Sequence, residues 1–178
     1  MEKNEKKAVI FCSSSNKIDP AYSEAARSVV RGLAAAGYVI VSGGTTKGLM
    51  GVVSEEAERA GARHIGVIPR FFAGFHYPGK METVWTDTMS ERKVKLREGT
   101  AAAIILPGGL GTMDEFFETH VLAKLGQYDG RIMILNIKGF YDPLMAMLKD
   151  FVKEGTAAES DLGLLEVYDN TADLIAKL

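Results

Sequence analysis

The sequence predicts a Rossmann-like, doubly wound α/β fold: a mostly or wholly parallel sheet with helices on both faces. Three observations predict it. Short apolar, β-branched runs alternate with longer segments of helical period along the whole chain. Several of the short runs are apolar at every position, as strands covered on both faces are. Two of the strand–helix connections are rich in glycine, which suits tight turns that face a ligand. Alternation of this kind requires parallel strands joined by right-handed helical crossovers.

The elements follow in order. Residues 8–12 (Ala-Val-Ile-Phe-Cys) form the first strand. A helix is expected over 20–36, with Asp19 as N-cap, Pro20 at its first position and Gly37 as its stop. Residues 38–41 are the second strand, 48–60 a helix closed by Gly61, and 64–68 a third strand ended by Pro69. An irregular segment rich in aromatics covers 70–80, and 82–86 is compatible with a strand. A short helix over 90–98, a buried strand over 101–106 and a helix over 112–125 come next. A strand over 131–136 and a helix over 141–153 precede a last strand–helix pair, 164–168 and 171–178.

The 178 residues are read as one domain, with 1–7 as a flexible, charged N-terminus. Hydrophobic residues are 47% and charged residues 25%, ordinary for a globular chain, and no linker, repeat or low-complexity tract divides it. The net charge of -2 offers no bulk field for nucleic acid or an anionic membrane, so any anion site must be local. The single cysteine, Cys12, excludes an intramolecular disulfide and fits a reducing compartment. No signal-peptide core and no membrane-length apolar run are found, so a cytoplasmic protein is expected.

Ligands of doubly wound sheets bind beyond the carboxyl ends of the strands. That rule selects residues 12–17, 42–50, 69–80 and 107–115. One glycine-rich connection is Ser42-Gly43-Gly44-Thr45-Thr46-Lys47-Gly48; the other is Pro107-Gly108-Gly109-Leu110-Gly111-Thr112. The second opens a helix, whose N-terminus offers free N–H groups and partial positive charge. A phosphate is the natural guest, and the Thr112 hydroxyl adds a donor. The bland alternative is a pair of tight turns. The dinucleotide fingerprint fails because Asp114 stands where its third glycine belongs, and the Walker pattern fails because Gly48 follows Lys47. Neither NAD nor ATP hydrolysis is expected.

Two charged positions carry double readings. Thr112 to Glu115 is a capping-box pattern, which alone accounts for both residues. A carboxylate beside a bound phosphate is otherwise repelled, and a reacting sugar would explain it: Glu115 could steady an oxocarbenium ion or position water. Arg92 and Lys93 follow Thr88 or Ser90 as helix cap and could be solvated surface; alternatively Arg92 grips phosphate or a carboxylate in bidentate fashion. His64, His76 and His120 lack metal-ligand spacing. Phe71, Phe72, Phe75, His76 and Tyr77 could stack a base or cover a subunit contact. Phe116 and Phe117 point about 100° apart, so one is expected to face the core and the other a partner subunit.

Read together, Ser42-Gly43-Gly44…Gly48-Leu49-Met50-Gly51, Met89-Ser90-Glu91-Arg92-Lys93 and Pro107-Gly108-Gly109-Leu110-Gly111-Thr112-Met113-Asp114-Glu115 resemble the Lonely Guy (LOG) family, long labelled "possible lysine decarboxylase". The resemblance runs over nearly the whole chain. It implies a phosphoribohydrolase that splits the N-glycosidic bond of a cytokinin riboside 5′-monophosphate or AMP, giving free base and ribose 5-phosphate. It implies Arg92 and Glu115 as the catalytic pair. It places Gly43, Gly44, Met89, Lys93, Gly108, Gly109, Leu110, Gly111, Thr112 and Asp114 at the substrate and its phosphate. It implies no metal or organic cofactor, and a homodimer with the site near the subunit contact. The chain departs from the family pattern at Ser13, Thr45, Ser90, Asp114, Leu122 and Lys124. Two rivals stand beside this reading. One is a nucleotide or molybdenum-cofactor carrier of the same fold. The other is a lysine decarboxylase, for which no lysine stands in a recognisable Schiff-base setting.

Overall fold

The computed structural model describes residues 5–178. Its elements are β1 (Lys7–Phe11), α1 (Pro20–Ala35), β2 (Val39–Ser42), α2 (Gly48–Arg59), β3 (His64–Pro69), β4 (Glu82–Thr86), α3 (Met89–Arg97), β5 (Thr100–Ile105), α4 (Leu110–Lys124), β6 (Arg131–Leu135), α5 (Asp142–Lys153), α6 (Glu159–Leu162), β7 (Leu165–Tyr168) and α7 (Thr171–Ile175). The strands form one sheet in the order β4-β3-β2-β1-β5-β6-β7. Every neighbouring pair is parallel.

Strand alternation divides the core into two layers. Ala8, Ile10 and Cys12 of β1 and its end, with Ala102, Ile104 and Leu106 at β5, face α1, α2 and α7 through residues such as Val29, Leu33, Leu49, Val53 and Leu174. Val9, Phe11, Ala103 and Ile105 face the opposite way, onto Leu96 of α3, Phe116 of α4 and Leu144 and Leu148 of α5. Because both faces are covered, the central strands are apolar at successive positions.

The strand order reverses at β1, which pairs with β2 on one side and β5 on the other. The chain leaves these adjacent strands toward different faces, which opens a crevice beyond their carboxyl ends. Main-chain bonds tie its rim: Ser13 N–H donates to Pro107 C=O at 3.1 Å, and Leu49 N–H to Ser13 C=O at 2.9 Å.

Local chemistry sets the start of several helices. Asp19 accepts from Ala21 N–H at the start of α1, with Pro20 in the first turn. Thr88 accepts from Glu91 N–H at the start of α3. Other expectations need correction. Helix α4 begins at Leu110 with Gly109 as N-cap, so Thr112 lies inside the first turn and the expected capping box with Glu115 does not form. Residues 70–80 are not wholly irregular: Arg70–Phe75 is a 3₁₀ turn. The four-residue α6 was missed because so short a helix leaves no period to read. The last helix ends at Ile175 rather than 178. Lys7 is already in β1, and Lys6 C=O accepts from Val39 N–H at 2.9 Å. The flexible N-terminus expected over 1–7 therefore does not extend to these two; positions 1–4 lie outside the described residues.

Phe116 is fully buried and Phe117 half-buried, which settles which of the two faces the core. Phe116→Ala should lower the unfolding free energy by about 3–5 kcal/mol, because it opens a cavity under α4 that its neighbours cannot fill. Chemical denaturation of the two proteins measures this.

Candidate active site

The loops after β1, β2, β3 and β5 and the start of α3 surround one cavity of about 510 Å³. It is lined from α3 by Met89 and Arg92, and from the start of α4 by Gly109, Leu110, Gly111, Thr112, Asp114 and Glu115. Eight of the twelve residues expected at a site therefore meet here.

At its base is an ion pair. Arg92 Nη1 lies 2.9 Å from Glu115 Oε1, with the side chains 6% and 7% exposed. Arg92 Nε donates to Val67 C=O of β3 at 3.0 Å, which aims the guanidinium. Arg92 is thus no solvated surface residue. Burial pushes the Glu115 carboxyl up to about 7, and the charge of Arg92 holds it back from going higher. Cys12 is buried at the end of β1 beside this pair, and its thiol is raised far above its ordinary range by burial first and by the Glu115 charge second. That thiol stays protonated.

Above the pair, α4 presents its first turn to the cavity without a side-chain cap. Its N–H groups and partial positive charge are what an anion binds. A Cβ at Gly109 or Gly111 would meet nothing within 4 Å, so the backbone here is open to close approach. Thr112 is buried at the same turn.

Four expected residues do not line the cavity. Gly43 makes room for Arg92: a Cβ there would stand 2.5 Å from both Arg92 Nη2 and the Met50 sulfur. Gly108 does the same for Thr112, whose hydroxyl would be 2.1 Å from an added Cβ. Gly44 packs behind the lining on the backbone of Gly66, and its N–H donates to Ser42 Oγ at 3.1 Å. Ser42 Oγ in turn lies 2.7 Å from His64 Nε2, whose ring is held neutral by burial, with its pKa lowered to about 4. Lys93 turns away, to Asp114 and Glu118 of α4.

The lining also takes in residues beyond those twelve, among them Phe72 and Phe75, which the sequence offers as a surface for stacking a base. Ser13, Ser14 and Ser15 follow β1; Thr45, Lys47 and Met50 follow β2; Phe72 and Phe75 come from the 3₁₀ turn. Their signal was position, since every one lies in a segment beyond a strand's carboxyl end. Phe72 is 39% and Phe75 41% exposed, and Lys47 Nζ stands 4.1 Å from the Phe75 ring centroid. This turn is anchored by main-chain bonds from Thr46 N–H to Phe75 C=O at 2.8 Å and from Tyr77 N–H to Gly44 C=O at 3.0 Å. The arrangement can hold an anion at α4, a flat apolar group against the aromatic turn, and a reacting centre at Glu115 between them.

Residues 50–178 match the protein family described as possible lysine decarboxylase. The chain is 35% identical over 175 residues to the probable cytokinin riboside 5′-monophosphate phosphoribohydrolase LOG6 of Arabidopsis thaliana, covering 97% of this chain and 87% of that protein. It is 33% identical over 171 residues to the cytokinin riboside 5′-monophosphate phosphoribohydrolase LOG of Oryza sativa subsp. japonica, covering 95% and 71%. Among solved structures, the molybdenum cofactor binding protein from the phototrophic bacterium Rippkaea orientalis superposes with a TM-score of 0.74 at 19% identity, covering 97% and 95%. At that identity the likeness is one of fold.

The raised Glu115 carboxyl has a consequence for stability. Its folded-state pKa of about 7 exceeds its ordinary 4.5, so the folded chain holds a proton that the unfolded chain releases between those values. Stability should therefore fall as pH rises from about 4.5 to about 7, by an amount on the order of 2 kcal/mol. In Glu115→Gln, which keeps an acceptor for Arg92, this part of the pH dependence should vanish. Denaturant unfolding at pH 5 and pH 7.5 compares the two slopes.

Proposed function

The chain belongs to the LOG family, and from that membership and the geometry of its cavity we propose that it is a phosphoribohydrolase of nucleoside 5′-monophosphates. Water adds to the anomeric carbon of the ribose, the N-glycosidic bond breaks, and the base departs with a proton, leaving ribose 5-phosphate. The substrates are a cytokinin riboside 5′-monophosphate or AMP. The single observation that carries this reading is the buried Arg92–Glu115 pair, set one helical turn from an open, uncapped helix N-terminus in the same cavity.

Each part has a role. The N–H groups at the start of α4, around Gly109, Leu110, Gly111 and Thr112, hold the 5′-phosphate. The anomeric carbon then lies within reach of Glu115, which is on the next turn of the same helix. In its ionised form Glu115 stabilises the positive charge that develops there, or takes a proton from the attacking water. A carboxyl near pH 7 is well matched to that second task. Arg92 favours the ionised form of Glu115 against its burial and orients it. Phe72 and Phe75, with Met50 and Met89, offer the base an apolar wall. Decarboxylation of an amino acid through a Schiff base would need a free amine instead; the amine of the lining, Lys47, is held over the Phe75 ring.

A second copy of the chain is proposed as partner. Val94 of α3 and Val121 and Leu125 at the far end of α4 are exposed apolar side chains that a homodimer would cover. A cytoplasmic location is proposed on the lone buried thiol of Cys12; no helix among the described residues is long and apolar enough to cross a membrane.

Incubation with AMP and with isopentenyladenosine monophosphate, followed by chromatography of free base, tests the activity. Glu115→Gln should reduce release about a hundredfold or more, chiefly in kcat. Wild-type release by this variant would sink the assignment, and tight nucleotide binding with no release at all would favour a carrier. Phe72→Ala and Phe75→Ala should each raise KM about tenfold with little change in kcat, since stacking of a base is worth about 1–3 kcal/mol.

A further inference from the structure

We propose that Lys93 is a positioning residue: through Asp114 and Glu118, and together with Arg97, it fixes α3 against α4 in the register at which Arg92 meets Glu115. The inference rests on the reading of that pair as the reacting centre, and it replaces the expectation that Lys93 contacts the substrate.

The geometry is a ladder of charges between the two helices. Lys93 Nζ is 2.9 Å from Asp114 Oδ1 and 3.3 Å from Glu118 Oε2. Arg97, one turn further along α3, places Nη1 3.0 Å from Glu118 Oε2 and Nη2 3.2 Å from Oε1. Its Nη1 also donates to Lys93 C=O at 3.1 Å. Lys93 follows Arg92 in sequence and Asp114 precedes Glu115, so the clamp and the buried pair are adjacent rungs on the same helices. The Lys93 side chain is only 16% exposed and does not line the cavity. A phosphate would have to displace two carboxylates to reach it.

Helix α3 needs such a clamp. Of its nine residues only Arg92 and Leu96 are buried, so a single apolar side chain anchors it to the core. Beyond that leucine its hold is polar: Arg92 reaches Val67 C=O and Glu115, and Lys93 and Arg97 reach Asp114 and Glu118 of α4. Three ion pairs in a shared, half-buried network hold geometry better than isolated surface pairs do.

The clamp also sets the charge around Glu115. The groups that face it are Arg92 and Lys93 from α3, Asp114 from its own helix and the Cys12 thiol from the end of β1. Lys93 favours the ionised carboxylate and Asp114 opposes it. Loss of Lys93 leaves Arg92 alone to oppose Asp114 and burial, and the Glu115 carboxyl titrates higher.

The test uses the full chain with Lys93→Met, Lys93→Arg and Asp114→Asn. Titration of the Glu115 carboxyl by carbon NMR, with no ligand present, should move up by about half a unit or more in Lys93→Met, return in Lys93→Arg, and move down in Asp114→Asn. With AMP as substrate, Lys93→Met should lower kcat about tenfold at pH 7, regain a larger share at pH 8.5, and leave KM within about threefold. A Glu115 titration that no variant moves overturns the proposal. So does a tenfold rise in KM at unchanged kcat, which marks a substrate contact. If Lys93→Met does not fold, the exposed Asp114→Asn decides by the direction of its shift. Because the titration needs no nucleotide, a wild-type chain that releases no base refutes the hydrolase reading and still leaves the clamp tested.

Discussion

A guanidinium and a carboxylate held together out of water are costly to bury, and much of this molecule is arranged around holding one such pair. Taking each ion from water costs several kcal/mol even after relaxation, and attraction offsets that only when geometry is good and the remaining polar atoms are satisfied. Arg92 meets those terms with a carbonyl of β3 behind it and Glu115 in front. The space for its second terminal nitrogen exists because Gly43 has no side chain. The ends of β2 and β3 and the starts of α3 and α4 must therefore all be in place together. The parallel sheet supplies that, since it brings several strand ends to one side of the molecule.

The elements that a period or a cap could announce were legible in the sequence. The apolar strands, the Asp19–Pro20 helix start and the glycine-rich turn into α4 read directly from residue types. What escaped depended on contacts distant in sequence. Arg92 reads from its local residues as one charge among several on a polar helix, and only the family resemblance picks it out, because nothing local reveals a carbonyl contributed from 25 residues away. Gly43 and Gly108 read as ligand-facing glycines, yet each clears space for a neighbouring side chain, a fact visible only once Met50, Arg92 and Thr112 are placed. Lys93 was drawn toward the ligand by its position beside Arg92, whereas adjacent residues on a helix diverge by about 100° and it turns to α4 instead. Glu115 is the instructive case. As a capping-box member it was half explained, and only the observed start of α4 at Leu110 removes that explanation.

The fold by itself says little about chemistry. The chain superposes well on a molybdenum cofactor binding protein at 19% identity, and its sequence relatives are phosphoribohydrolases by name. Doubly wound sheets with an open helix N-terminus bind many phosphorylated ligands through groups the backbone always provides. The side chains placed one turn further along the helix distinguish a holder from a hydrolase. Here that turn carries a carboxyl that burial raises and that the Arg92 guanidinium holds in place.

The aromatic turn after β3 is fastened by its main chain. Two of its links, Thr46 to Phe75 and Tyr77 to Gly44, run between backbone groups, while the rings of Phe71 and Phe72 project without a polar partner and that of Phe75 meets only the Lys47 ammonium. Exchange of those rings would therefore leave the attachment intact and would not reach Arg92 or Glu115. The molecule thus separates two inheritances. The buried pair is locked into the meeting of several strands and helices, where almost any change is felt by its neighbours. The aromatic wall of the cavity is held by peptide links and by side chains other than its rings, so descendants can exchange those rings and leave the attachment in place.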